Sequence, residues 1–257
     1  MKKEFLLAIA AFFFMSASAI TGVYAVEQEQ KPGIKTISKK RVDVTGDGLK
    51  DTVYLKGIPF DEGALFLKEV FLEISASDRK MYRIDLEGGY EPKITFKDLK
   101  HDKIKDLFVD IPTGGSGGLS NFYLYSLKDF TVTDLTVPEP LATTSQFDDG
   151  YKASLKIDET GEAYTFDLSS RKADYDRIGL YHNGKLNEPT ELMVLPYGTL
   201  KPVKVSGNQY GLKGVQRVSG AYNADGIAYL QSTWNFENGK WNLIDATLKK
   251  MLPRKNK

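Results

Sequence analysis

Three turn dipeptides, Asn183-Gly184, Asp225-Gly226 and Asn238-Gly239, each separate short apolar, β-branched runs, and they restrict the chain more than any other feature. Such pairs supply the positive-φ residues of a two-residue hairpin turn, so the runs they join must return antiparallel. Around the last two, residues 215–222, 227–236 and 241–248 predict a three-stranded meander. Within it Ala228, Leu230, Trp234 and Phe236 alternate with Tyr229, Gln231, Thr233 and Asn235, which gives one packed face and one wet face. The same texture runs through the rest of the chain. Residues 70–74 and 81–86 predict a hairpin around 76–80, residues 154–168 fold back around 159–162, and 193–195 and 202–205 add two short strands. The expected fold class is mainly β, built of antiparallel hairpins and meanders.

The 257 residues, 41% hydrophobic and 27% charged, suffice for one large core or two smaller ones. Residues 1–25 have the three-part plan of a secretory signal peptide: Lys2 and Lys3, the apolar run 5–14, then small residues. Cleavage fits after Ala19 or after Ala25, and retention as a membrane anchor is the rival reading, since residues 5–25 carry no charge. Residues 26–36 read as a linker. A change of texture near 145 separates a repeat-bearing β region, 37–145, from a β-rich region, 146–250, that ends in the meander and a basic tail, 251–257.

The absence of cysteine excludes disulfides, thiol catalysis and zinc-thiolate sites. Removing residues 1–25 takes away two lysines and one glutamate, leaving 33 basic and 33 acidic side chains. That balance gives no electrostatic case for the counterion release on which nucleic-acid binding depends, so nucleic acid is not an expected partner, although local basic patches remain open. The expected location is secreted or cell-wall associated, with no stable membrane insertion after signal cleavage.

One segment carries spacing with a chemical meaning: Asp43-Val44-Thr45-Gly46-Asp47-Gly48-Leu49-Lys50-Asp51. In calcium loops the side chains at positions 1, 3, 5 and 9 and the carbonyl at position 7 converge, and a glycine at position 6 makes the turn. Here those are Asp43, Thr45, Asp47, Asp51 and the Leu49 carbonyl, with Gly48 turning. Hard oxygen donors suit Ca2+, and neutral Thr45 in place of a carboxylate predicts weak, structural binding. The competing expectation is a polar turn in which the aspartates cap backbone amides without an ion.

Fifty-five residues on, Asp98, Asp102 and Asp106 repeat the spacing of Asp43, Asp47 and Asp51, and apolar runs follow both sets. The second copy is degenerate, with Lys100 at a ligand position and Lys103 in place of the glycine. It is expected to be metal-free, with the Lys100 ammonium either among the aspartates instead of an ion or pointing to water as surface lysines do. A unit of 55 residues has the size of a propeller blade, although two such units cannot close a ring. The nonapeptide followed by Thr52-Val53-Tyr54-Leu55 resembles the FG-GAP or VCBS-type repeat of secreted bacterial proteins. That resemblance implies calcium-stabilised β-structure and extracellular interaction roles, and it fixes no activity.

No catalytic residues are assigned: His101 and His182 sit in no nucleophile or metal motif. The glycine-rich stretch 114–118 lacks the lysine and helix of a phosphate cradle. Tyr229, Trp234, Phe236 and Trp241 are candidate binding aromatics, with core packing as the alternative. The reading is an exported, calcium-stabilised binding or structural module at the cell surface, partnered by a surface polymer or protein. A secreted hydrolase of cell-wall or extracellular polymer is the alternative.

Overall fold

The computed structural model describes residues 33–251. The predicted signal segment and the basic tail from 252 onward lie outside the described residues. The first sheet is a meander of β1 (Lys35–Val42), β2 (Asp51–Pro59), β3 (Phe66–Ser75) and β4 (Met81–Leu86), with β5 (Gly89–Tyr90) paired to β3. On β2 every second residue is buried, from Asp51 through Val53 and Leu55 to Pro59, so its period of two turns one face inward.

A second meander follows: β6 (Lys93–Lys97), β7 (Asp106–Pro112), β8 (Ser120–Ser126) and β9 (Thr133–Asp134). Both meanders therefore open with a strand, an aspartate loop and a second strand. Then come the sheet β10 (Thr143–Asp148), β11 (Lys152–Ile157) and β12 (Ala163–Asp167), the short helix α1 (Lys172–Arg177), and the two-residue strands β13 (Tyr181–His182) and β14 (Lys185–Leu186). The last sheet is β15 (Met193–Ser206), β16 (Gln209–Ser219), β17 (Gly226–Glu237) and β18 (Lys240–Lys250) in sequential order. All strand pairs are antiparallel, and the protein is mainly β. Among the described residues no propeller ring closes.

β7 shows why the layers stack as they do. Leu107, Val109 and Ile111 point into an apolar cluster with Leu55, Leu72 and Ile74 of the first sheet. Its alternate residue Phe108 joins Leu99, Leu124, Tyr197, Leu200 and Leu212, which ties the second sheet to the last one. An unbroken apolar run is what a strand covered on both faces needs. A third cluster gathers Phe147, Leu155 and Phe166 against Val218, Leu230 and Trp234. Each buried leucine or isoleucine in these clusters contributes about 1.5–3 kcal/mol relative to exposure.

Several expectations are revised. The strands expected at 193–195 and 202–205 are one strand of 14 residues. Register shifts between Val194 and Tyr197 and between Tyr197 and Thr199 absorb Pro196, and β15 lies at a sheet edge, where proline costs least. It adds a fourth strand to the expected three-stranded meander. On β17 a register shift between Thr233 and Trp234 breaks the alternation, so Asn235 is buried beside Trp234 instead of facing solvent. The helix α1 was not expected, and its Tyr175 hydroxyl donates to Asp225 Oδ2 at 2.6 Å while Arg171 Nε pairs with Asp225 Oδ1 at 2.9 Å.

Two substitutions test this packing by urea unfolding. Tyr175→Phe removes the donor to a buried carboxylate and should cost about 1–3 kcal/mol. Gly211→Ala places a Cβ 2.1 Å from the Trp234 carbonyl oxygen on the neighbouring strand. It should destabilise by about 1–3 kcal/mol, because the backbone of β17 must move to admit it.

Candidate functional site

The loop between β1 and β2 is folded by its own carboxylates. Asp43 accepts hydrogen bonds from Gly46 N at 2.7 Å and Gly48 N at 2.9 Å, through separate oxygens. Asp47 Oδ1 accepts from Leu49 N at 2.8 Å, and the Ser77 hydroxyl donates to Asp47 Oδ2. Asp51 Oδ2 accepts from Val44 N at 2.9 Å and from Thr45 Oγ1 at 3.4 Å, and its Oδ1 accepts from Ser77 N at 3.0 Å. Gly46 and Gly48 both have φ of 84°, the left-handed region that glycine enters freely. The Ser77 hydroxyl, followed by the Leu49 amide, holds the Asp47 carboxyl below the usual carboxylate range.

The loop between β6 and β7 repeats this frame. Asp98 Oδ2 accepts from Lys103 N, five residues on, as Asp43 Oδ2 does from Gly48 N. Asp102 Oδ1 accepts from Ile104 N, two residues on, as Asp47 Oδ1 does from Leu49 N. Asp106 Oδ2 accepts from Leu99 N, seven residues back, as Asp51 Oδ2 does from Val44 N. His101 and Lys103 stand where the first loop has Gly46 and Gly48, and they adopt φ of 63° and 71°. Holding two non-glycine residues there costs on the order of 1 kcal/mol each, so the hydrogen-bond frame overrides their preference.

The charge arrangement differs between the copies. Among the described residues, Asp43, Asp47 and Asp51 form no ion pair, although Asp51 is fully buried. In the second loop Asp102 Oδ2 lies 3.5 Å from the Lys100 ammonium and 3.4 Å from that of Lys128. Burial pushes the Asp102 carboxyl up, but the Ile104 amide and the two ammonium groups outweigh it and hold it below the usual range. Burial pushes the Asp106 carboxyl up to about 6, the Asp102 charge adding to the shift.

The two loops lie side by side. A Cβ on Gly46 would stand 2.5 Å from Ile104 Cδ1, so the two loops touch at this point. Asp43, Gly46 and Gly48 face Asp102, Lys103 and Ile104 across a cleft of about 510 Å³. The turn Lys128–Phe130 joins both loops, with Asp129 N donating to Thr45 O at 3.0 Å and Lys128 reaching Asp102. His101 Nε2 donates to Tyr210 O at 2.8 Å, which links the second loop to β16.

Of the predicted calcium ligands, Thr45 meets Asp51, Ser77 ties Asp47 to Asp51, and Asp43 turns to the loop amides. Leu49 is exposed. Among the described residues no three His, Asp or Glu side chains converge closely enough to grip an ion unaided. Sequence reasoning missed Ser77 and Lys128. Each lies two residues beyond the third strand of its meander, but 51 residues apart, so the 55-residue offset does not align them.

The candidate aromatics divide. Trp234 is buried, with Nε1 donating to Ser232 Oγ at 2.8 Å, and Tyr229 is 41% exposed. Phe236 and Trp241 meet edge to face, with centroids 5.2 Å apart and planes at 71°. Trp234, Phe236 and Trp241 line a cleft of about 370 Å³ with residues 135–139 and Lys240. Residues 137–139 also wall a second cleft of about 310 Å³, lined by Glu87, Asn121, Phe122, Tyr123 and Tyr197. There Asn121 Nδ2 donates to Glu87 Oε2 at 2.7 Å. His182 is exposed beside its turn.

The family model described as YybI C-terminal domain matches residues 141–249. The Bacillus subtilis (strain 168) protein described as "Uncharacterized protein YybI" is 30% identical over 221 residues, which cover 82% of this chain and 84% of that protein. Among solved structures, the crystal structure of the exotype rhamnogalacturonan lyase YesX aligns with 84% of this chain and 33% of its own, at 15% identity and a TM-score of 0.36, too distant to carry an argument. No FG-GAP or VCBS repeat family is found, so the resemblance drawn from residues 43–55 is overturned. Its basis was short: aspartates spaced by four at a strand-to-strand turn are what any amide-capping loop of this length needs. Identity sustained over both halves places the match well beyond that loop, and the chain belongs to the YybI family.

Proposed function

We propose that the protein is an exported, non-catalytic β module of the cell surface, whose first aspartate loop takes a calcium ion weakly and uses it to hold strands in place. The observation that carries this reading is the charge difference between two loops built on one frame. The second loop has two ammonium groups at Asp102, whereas the first has three carboxylates and no ion pair among the described residues. Like charges within nine residues repel, and a cation relieves them. The donor set of carboxylates, the Thr45 hydroxyl and the Leu49 carbonyl is all hard oxygen, as a calcium site requires. Because the same carboxylates also cap amides, the affinity expected is weak, on the order of 0.1–1 mM. Bound calcium would supply charge balance alone.

The two N-terminal meanders, 35–86 and 93–134, are on this reading copies of one blade-like unit, followed by a β-rich half from about residue 146. The shared hydrogen-bond frame supports that view. Recognition of a surface polymer is assigned to the cleft beside Trp241 and Phe236, whose aromatic rings, with Glu139 and Lys240 beside them, suit sugar rings and their hydroxyls. One observation favours a hydrolase instead: Glu87 and Glu139 line the neighbouring cleft together.

Calcium added to chelated protein should raise the melting temperature. At about ten times the dissociation constant the gain is about 1.4 kcal/mol. Asp47→Asn should abolish the response, and an unchanged wild type or an equal shift in the variant refutes the site. Both tryptophans of the chain line one cleft. Purified cell-wall polymer should therefore change the intrinsic fluorescence, and Trp241→Ala should weaken binding at least several-fold. Release of new chain ends from the polymer, lost in Glu87→Gln, would instead establish the hydrolase.

A further inference from the structure

The two loops share three carboxylate-to-amide bonds of their frame, and a further bond of the first has no counterpart at Asp106. In the first, Ser77 N donates to Asp51 Oδ1. In the second, Lys128 occupies the same place two residues past its strand, but its amide donates to Ser126 Oγ at 3.4 Å. Asp106 Oδ1 is therefore buried without a partner, in a residue with 0% exposure. Asp102 Oδ2, by contrast, faces the Lys100 and Lys128 ammonium groups.

A buried, unpartnered carboxylate oxygen calls for a cation, a water or a proton. A metal ion is disfavoured by the ammonium groups of Lys100 and Lys128, which already stand at Asp102. We propose that the second loop is a proton-binding site, in which the Asp106 carboxyl takes up a proton in mildly acidic medium. The groups around it agree. Asp102 and Lys100 face Asp106 from its own loop, with Lys128 beyond Asp102 from the turn after β8. Both Asp98 oxygens are taken by the Asp102 and Lys103 amides, and His101 is turned to Tyr210 O.

Burial sets the direction, pushing Asp106 from 3.8 to about 6, with Asp102 adding and the Leu99 and Lys100 amides opposing. A folded-state value above the unfolded one means that this group's contribution is complete below about pH 4 and is lost as pH rises through about 6. The second loop is thus tighter in acid than at neutral pH. This inference stands apart from the calcium reading, and its test is run in chelator.

Carboxyl carbon NMR of the full chain should show an aspartate titrating near pH 6. Asp106→Asn should remove that signal, and Asp102→Asn should move its midpoint down toward the ordinary range. Because the asparagine amide mimics the protonated carboxyl, Asp106→Asn should melt above wild type at pH 8. That advantage should shrink as pH falls through 6. A wild-type Asp106 midpoint at or below 4 overturns the proposal, as does a melting difference that is the same at every pH. Should Asp106→Asn not fold, through-bond assignment of Asp106 in wild type and Asp102→Asn decides the matter.

Discussion

A buried aspartate at the start of a strand, accepting the amide seven residues behind it, holds each N-terminal meander together. Asp51 opens β2 and binds Val44 N, and Asp106 opens β7 and binds Leu99 N. In each case the carboxylate closes the loop and lines up the strands on either side of it. Val44 and Leu99 themselves are fully buried, so the bond also seats an apolar anchor beside it. Burying a carboxylate costs several kcal/mol unless donors replace its water, and these amides are the replacement.

The consequences reach the C-terminal half through Leu99. It belongs to the cluster that includes Tyr197, Leu200 and Leu212 of the last sheet, whereas Val44 packs within the N-terminal sheets. His101 and Lys97 add polar contacts to Tyr210, the latter with its ammonium 4.3 Å from the ring centroid. The second loop is therefore both a turn and a bracket between sheets. That second duty explains why it keeps a left-handed backbone at His101, where glycine would be easier: the His101 ring reaches Tyr210 O, and glycine has no ring to offer.

Much of the strand pattern was legible because it depends on local chemistry. Asn183-Gly184 and Asn238-Gly239 turn as expected, with Asn183 and Asn238 at φ of 51° and 54°, whereas Asp225-Gly226 has no positive φ and only closes a longer connection, residues 220–225, between β16 and β17. The edge strand β15 was read as two pieces because Pro196 and Pro202 look like breaks until one knows that no strand lies outside them. The aspartate spacing was legible as a loop, but its partners were not. Ser77 and Lys128 come from the ends of β3 and β8, and strand pairing alone brings them to Asp47 and Asp102. The clefts beside residues 137–139 were illegible for the same reason, since their walls come from segments far apart in the chain.

The comparison of the loops also bears on which features the fold demands and which are free to vary. Positive φ at the third and fifth residues after the first aspartate is demanded, since His101 and Lys103 adopt it against their preference. The strand-opening carboxylate is demanded as well, for the same amide awaits it in both copies. The counter-charge is free: it is absent from the first loop among the described residues and comes from Lys100 and Lys128 in the second. A device whose scaffold is constant and whose charge balance varies can be coupled to different solutes without altering the sheet it supports. On these grounds the aspartate loops belong to the architecture first, and any response to ions or protons is built on the one component that the architecture leaves unspecified.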